Sequence, residues 1–229
     1  MFTDQPVTPV RLEVLLDLLR RYSSGLKREV IYELLQPQPL CDDPKKTTSL
    51  QTVGAALQLD LAEEKQNVIT LNKHFDKNKS IKENILRAVD RMVLSSLEIE
   101  LYLSLYYAYY LGLDKKVYDR LGFSRDKWVE QFNKDVFNNE PQSNPFNATK
   151  HTGLDRWFSY FGLGWYDSND QFQANPYERL LRSLPDIFRG ESELYGDQFM
   201  KQLSEVCPEL DGGEIFLKAN KYRGYNPED

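Results

Sequence analysis

His151 and Asp155 stand four residues apart, a spacing that on a helix sets an imidazole beside a carboxylate, as a general base and the group that orients it would be. Cys207 offers a distant thiol to go with them. The pair reads instead as a solvated histidine near a capped helix terminus. His74 falls among three lysines in KHFDKNK and reads as a surface residue or a phosphate contact. Cys41 precedes Asp42 and Asp43, whose charges raise a thiol pKa, so it is a poor nucleophile.

The other outlines of catalysis are missing. The chain has no GxSxG, HExxH, GxxxxGK[ST] or GxGxxG, and the glycines of GLG (162–164) and GG (212–213) lack phosphate-cradling spacing and read as helix stops. Two cysteines and two histidines, all far apart, argue against a zinc cluster and a disulfide scaffold. No catalytic residue, metal or cofactor is assigned, and the chain is expected not to be an enzyme.

The elements that would position a binding surface are clearer. Thr8 as N-cap and Pro9 at the first helical position start a helix carrying Val14, Leu15, Leu18, Leu19 and Tyr22 on one face, ended by Ser23-Ser24-Gly25. Residues 27–35 carry Val30, Ile31, Leu34 and Leu35 at helical spacing, and Pro37 and Pro39 stop them. Thr48 with Gln51 forms a capping-box pattern opening a third helix with Leu50, Val53 and Leu57. LAEE, the turn KQN and VITL then read as a β-hairpin.

From Ser80 the pattern changes to long helices. SIKENILRAVDRMVLSS has a stripe of Ile81, Ile85, Leu86, Val89 and Val93; a second helix runs from Leu97 to Leu111; a third runs from Ser124 to Val136 with Trp128 and Phe132 four apart. The uncharged LYLSLYYAYYLGL has 13 residues, too few for a membrane span of about 20, so its tyrosines are core rather than a base-stacking groove. An Asn- and Pro-rich loop leads to an aromatic helix ended by Gly162 and Gly164, then helices starting at Asn175-Pro176 and Ser192, and EIFLK as a strand. That order leaves open a second winged-helix-like unit at the C-terminus. The divisions drawn are 1–79, 80–140 and 141–229.

The fold class expected is mainly α with small β elements in a chain of 229 residues, large enough for its own core. A net charge of −6 excludes a generic polyanion binder, and the deficit is concentrated beyond residue 140. MFTDQPVTPV lacks the basic and apolar regions of a secretory signal, so a cytoplasmic protein with no membrane partner is expected.

Three capped helices followed by one hairpin resemble the winged helix-turn-helix family, apart from a 12-residue loop from Gln36 to Thr47. The resemblance makes residues 48–58 a recognition helix and 61–71 a wing, and implies contact with duplex DNA. Lys45 and Lys46 before the helix, and Lys65, Lys73, Lys77 and Lys79 on and after the wing, stand where phosphates would be met, with Asn67 in the wing turn. Gln51, Thr52, Ala55 and Gln58 are the base-reading positions expected on the exposed face. The helix has no arginine, and a winged helix that docks a protein stays open as the alternative.

A second resemblance spans most of the chain. The order of winged helix, tyrosine-rich helices, LDRWFSYFGLGWYD and NPYERLLRSLPDIF, through Trp157, Leu163, Gly164, Trp165, Pro176, Leu180, Leu184 and Ile187, resembles the DpdG family of bacterial defence islands that place 7-deazaguanine derivatives in DNA. It implies an accessory, DNA-associated or complex-assembling component beside a partner protein such as an ATPase or nuclease, and carries no catalytic residues.

Overall fold

The computed structural model describes residues 2–3, 7–40, 43, 45–113, 122, 124–168 and 171–223. Cys41, Asp42 and the last six residues lie outside them. The described residues form ten α-helices and two small antiparallel sheets, and the chain divides into two compact units after Met92. The sequence-based divisions after 79 and 140 differ from this, because the helix following Ser80 packs on the first helix and the helices on either side of residue 140 pack on each other.

The first unit begins with α1 (Pro9–Arg21), where the Thr8 side chain accepts the Arg11 amide at 3.4 Å and Pro9 occupies the first turn. Its buried face is Leu12, Leu15, Leu16 and Leu19, so the predicted face is turned and Val14 and Tyr22 are about half exposed. β1 (Leu26–Lys27) follows Gly25, whose φ of +82° brings the backbone so close to residues 68–70 that a side chain there would strike Ile69 O and Thr70 Cγ2. α2 (Arg28–Leu35) buries Ile31 and leaves Val30 and Leu34 exposed, again unlike the predicted face.

α3 (Thr47–Gln58) does not use the Thr48/Gln51 capping box. Lys46 is its N-cap in a left-handed conformation, and the Asp43 carboxylate accepts the amides of Thr47 at 2.7 Å and Lys45 at 3.0 Å. The hairpin is β2 (Ala62–Lys65) and β3 (Val68–Leu71), closed by Gln66 and Asn67, both with positive φ as a two-residue turn requires. The sheet order is β1-β3-β2, with Leu26 opposite Ile69 and Lys65 opposite Val68. α4 (Ile81–Val89) starts from a full capping box of Ser80 and Glu83 and runs into a π-turn at Asp90–Leu94.

The second unit is built around α5 (Leu101–Leu111), buried on every side from Tyr102 to Tyr109. It starts four residues later than expected. α6 (Arg125–Phe137) begins at the predicted Ser124 cap, and its Trp128 and Phe132 pack on Tyr106. α7 (Ala148–Phe161) is capped by Asn147 and ended by Gly162. An unanticipated hairpin follows, β4 (Gly164–Tyr166) with β5 (Phe172–Ala174).

α8 (Tyr177–Phe188) and α9 (Gly196–Val206) form a pair, α9 starting at Tyr195 rather than Ser192. At their seam Arg179 pairs with Glu209, donates to Ser183 and to Val206 O, and Cys207 donates its thiol to Ser183 Oγ at 3.3 Å. EIFLK is not a strand. It belongs to α10 (Glu214–Asn220), with Ile215, Phe216 and Ala219 buried at helical spacing, which removes the strand that a second winged-helix-like unit needed. No helix among the described residues is long and apolar enough to cross a membrane.

Candidate nucleic-acid interface

The N-terminal turn of α3 and the β2–β3 hairpin determine what the first unit can present. Lys46 forms an ion pair with Glu33 and is nearly covered, whereas Lys45 is exposed. The Asp43 carboxylate already occupies the amides at the start of α3, and the Thr47 amide holds its pKa below the usual carboxylate range. A phosphate at that terminus would meet a resident negative charge.

On α3, Thr52 and Ala55 are buried at 1% and 2% exposure, which corrects their placement on the outer face. Thr52 turns its hydroxyl back to Thr48 O at 2.8 Å, so its polarity is satisfied inside its own helix. Gln51 is half-buried and Gln58 exposed. The outer face consists of Thr47, Leu50, Gln51, Gly54, Leu57 and Gln58, without a charge among them.

The hairpin carries Lys65 at its tip, 2.9 Å from Glu63, and Lys73 and Lys77 are exposed in the segment after it. Lys79 lies 3.9 Å from Glu83. Arg28, at the start of α2, grips the Glu64 carboxylate with two nitrogens and donates to Tyr32 OH. Asn67 is not free to probe a groove, because its amide donates to Glu29 at 2.7 Å. These contacts lower the pKa values of Glu64 and Glu29. His74 is half exposed, with Nδ1 2.5 Å from Asp60, which also accepts from Asn72 and lies 3.6 Å from Arg91. Of the lysines expected from the sequence to meet phosphates, Lys45, Lys65, Lys73 and Lys77 are exposed.

The second unit holds a pocket of about 880 Å³ between the end of α5, the starts of α6 and β5, and the middle of α7. His151 and Asp155 both line it. His151 is buried at 8% exposure, not solvated as its sequence context suggested, because its ring packs edge-on against Tyr106. Its Nδ1 lies 3.2 Å from Asp155 Oδ2 but off the direction of a hydrogen bond, so that nitrogen is buried without one. Burial also pushes the Tyr106 hydroxyl far above the ordinary phenol range. Tyr110 stacks on Trp128 at 4.8 Å in one wall, and Arg125, Asp126, Arg156, Tyr166 and Gln171 are among the polar lining. Cys207 is buried at the α8–α9 seam and does not line the pocket. Among the described residues no three His, Cys, Asp or Glu side chains are grouped to hold a metal ion.

The DpdG-like family model matches residues 2–228, which takes in both units. The chain belongs to the DpdG-like family. That membership associates it with a defence and DNA-modification system. No curated protein and no solved structure matches the chain.

Within this DpdG-like chain, the residues that carried the resemblance are largely architectural. Trp157, Leu163 and Ile187 are fully buried, Gly164 opens β4, and Pro176 caps α8. Trp165 is the exception, half exposed on the hairpin. Sequence reasoning missed Arg28 and Glu64, 36 residues apart, and the pocket residues Arg125, Arg156 and Gln171. Gly25 was the available signal for β1, since a glycine between two polar residues and a Leu-Lys pair marks a close backbone approach.

Proposed function

We propose that this chain is a non-enzymatic, DNA-associated accessory component of the defence system its family is associated with, and that its first unit is a winged helix-turn-helix resting on the backbone of duplex DNA. One observation carries the reading. The chain order of α1, β1, α2, α3, β2 and β3, with the short β1 joining the hairpin in the order β1-β3-β2, supports the winged-helix reading because it is the order such a unit requires. Lys65 at the wing tip, with Lys73 and Lys77 behind it and Lys45 before α3, then supplies cations where such a unit meets phosphates. With Thr52 and Ala55 buried, Gln51 and Gln58 remain as base-reading candidates, so backbone contact dominates sequence readout. The acidic surface of the second unit, including Asp186, Glu191, Glu193 and Asp197, is the side offered to a partner protein such as an ATPase or nuclease.

Fluorescence anisotropy with a labelled duplex of about 30 base pairs, titrated over several salt concentrations, tests the reading. Salt-sensitive binding that falls, with a flatter salt slope, in Lys65→Glu/Lys73→Glu supports it. Binding unchanged in that double variant overturns the DNA contact.

The alternative is a protein adaptor without nucleic-acid contact. It is favoured by Leu50, 49% exposed on the uncharged outer face of α3, and by Asp43 at the terminus where a phosphate would sit. Copurification of a partner that survives nuclease and high salt and is lost in Leu50→Glu would select this reading.

A further inference from the structure

The pocket of the second unit is not explained by either reading of the first. Its volume of about 880 Å³ falls in the range of small-molecule sites, and its lining mixes an aromatic wall with converging polar groups. His151 supplies an independent sign that something is expected there. A histidine only 8% exposed, with Asp155 Oδ2 3.2 Å from its Nδ1, puts a buried imidazole–carboxylate pair on the cavity wall, the kind of convergent polar group that ligand sites carry.

The chemistry of the lining selects the ligand class. Two guanidinium groups, Arg125 and Arg156, present the planar forks that match phosphate oxygens, and Arg125 belongs to the amide-bearing first turn of α6. The opposite requirement, a flat ring with hydrogen-bonding edges, is met by the wall of Tyr110, Tyr166 and Phe172, and by His151, Asp155 and Gln171, which offer acceptors and donors together. The carboxylates of Asp126 and Asp155 make the lining electrically balanced, so a bare anion has little to gain there and a ligand must use both halves. We propose that this pocket binds a nucleotide, its phosphate at Arg125 and Arg156 and its base edge at His151 and Gln171.

The nucleotide reaches the pocket either free or as a residue of a single strand, and the experiment separates the two. Isothermal titration of the full chain with each deoxynucleoside 5′-monophosphate, the matching nucleosides, inorganic phosphate, and a five-nucleotide single strand reads all the components. At least one monophosphate binds, with its nucleoside and inorganic phosphate at least tenfold weaker. Arg125→Ala, an exposed site at a helix start, weakens monophosphate binding at least tenfold without changing Tm. His151→Phe, which keeps a ring against Tyr106, does the same through the base. Displacement of the monophosphate by the single strand marks a strand nucleotide as the source, and failure to displace marks the free form. Absence of binding by any monophosphate, phosphate binding as tightly as the monophosphates, or binding indifferent to Arg125→Ala overturns the proposal. The duplex titration reads the wing lysines of the other unit, so either reading fails without the other.

Discussion

Arg28 and Glu64 meet fork to fork, Nε to Oε1 at 2.9 Å, and this pair ties the first turn of α2 to the outer strand of the hairpin. Asn67 adds a second tie from the turn to Glu29. The hairpin is therefore held to α2 by side chains as well as by the β1–β3 ladder. Both partners of the ion pair are about a quarter to a third exposed, so solvent screening limits its contribution. Glu64→Ala is expected to lower stability by no more than about 1 kcal/mol in denaturant titration. Hydrogen–deuterium exchange of the β2 and β3 amides should nonetheless accelerate; an unchanged exchange rate there would show that the ladder alone holds the hairpin.

Arg179 and Glu209 are the contrasting case, at 3% and 0% side-chain exposure. Removing one charge strands the other in the interior, and Arg179→Ala should cost about 3–5 kcal/mol. Replacing the pair together by Met and Leu should recover most of that loss. Urea unfolding of the two variants decides the matter, and a single variant as stable as the double one would refute the argument.

The two units should fail at opposite ends of the pH scale. Asp17, Glu29, Asp43, Glu64 and Glu83, all in the first unit, have pKa values lowered by Arg21, Asn67, the Thr47 amide, Arg28 and Ser80 respectively. A carboxylate lowered in the fold contributes stability that is present above its unfolded pKa of about 4 and is lost as pH falls through the folded value. Tyr102, Tyr106 and Tyr107 of the second unit are raised, chiefly by burial. Their unfolded forms lose a proton first above pH of about 10, so the unfolded chain binds fewer protons and stability falls as pH rises. Limited proteolysis across pH should cut residues before 92 first in acid and residues after 93 first in alkali. The same order of cutting at both extremes would contradict this assignment.

Thr52→Val should be nearly silent. The hydroxyl it removes bonds only within α3, and the methyl that replaces it enters a buried site of the same shape. We expect a stability change within about 1 kcal/mol and duplex affinity within twofold. A tenfold loss of duplex affinity with stability intact would place Thr52 at the DNA after all.

Thr52 also shows why the exposed face of α3 was harder to read than the helix itself. Helix starts at Thr8, Ser80 and Ser124 were legible because capping is a contact over three residues, contained in the sequence window that displays it. Which side of α3 is buried depends on α1 and α2, which pack against it from elsewhere in the chain, and a threonine bonded to its own helix looks polar in sequence while behaving as core. His151 misled for the same reason, since its aromatic neighbours Phe146 and Tyr106 include one 45 residues away. EIFLK is too short a run for apolar spacing to separate strand from helix, and the β4–β5 hairpin begins at a glycine that reads equally well as a helix stop.

The joint between α5 and α10 has a consequence for synthesis. Asn220 lies against Gly112 and bonds the Ala108 carbonyl, while Arg223 donates to Gly112 O at 2.8 Å across 111 positions of sequence. At a translation rate of about 5–20 residues per second, the tyrosine-rich segment leaves the ribosome roughly 5–20 s before the helix that covers it. During that interval an uncharged, aromatic stretch has no lid, which makes nascent α5 a natural client for chaperones and makes any message truncated before residue 214 a source of aggregating protein.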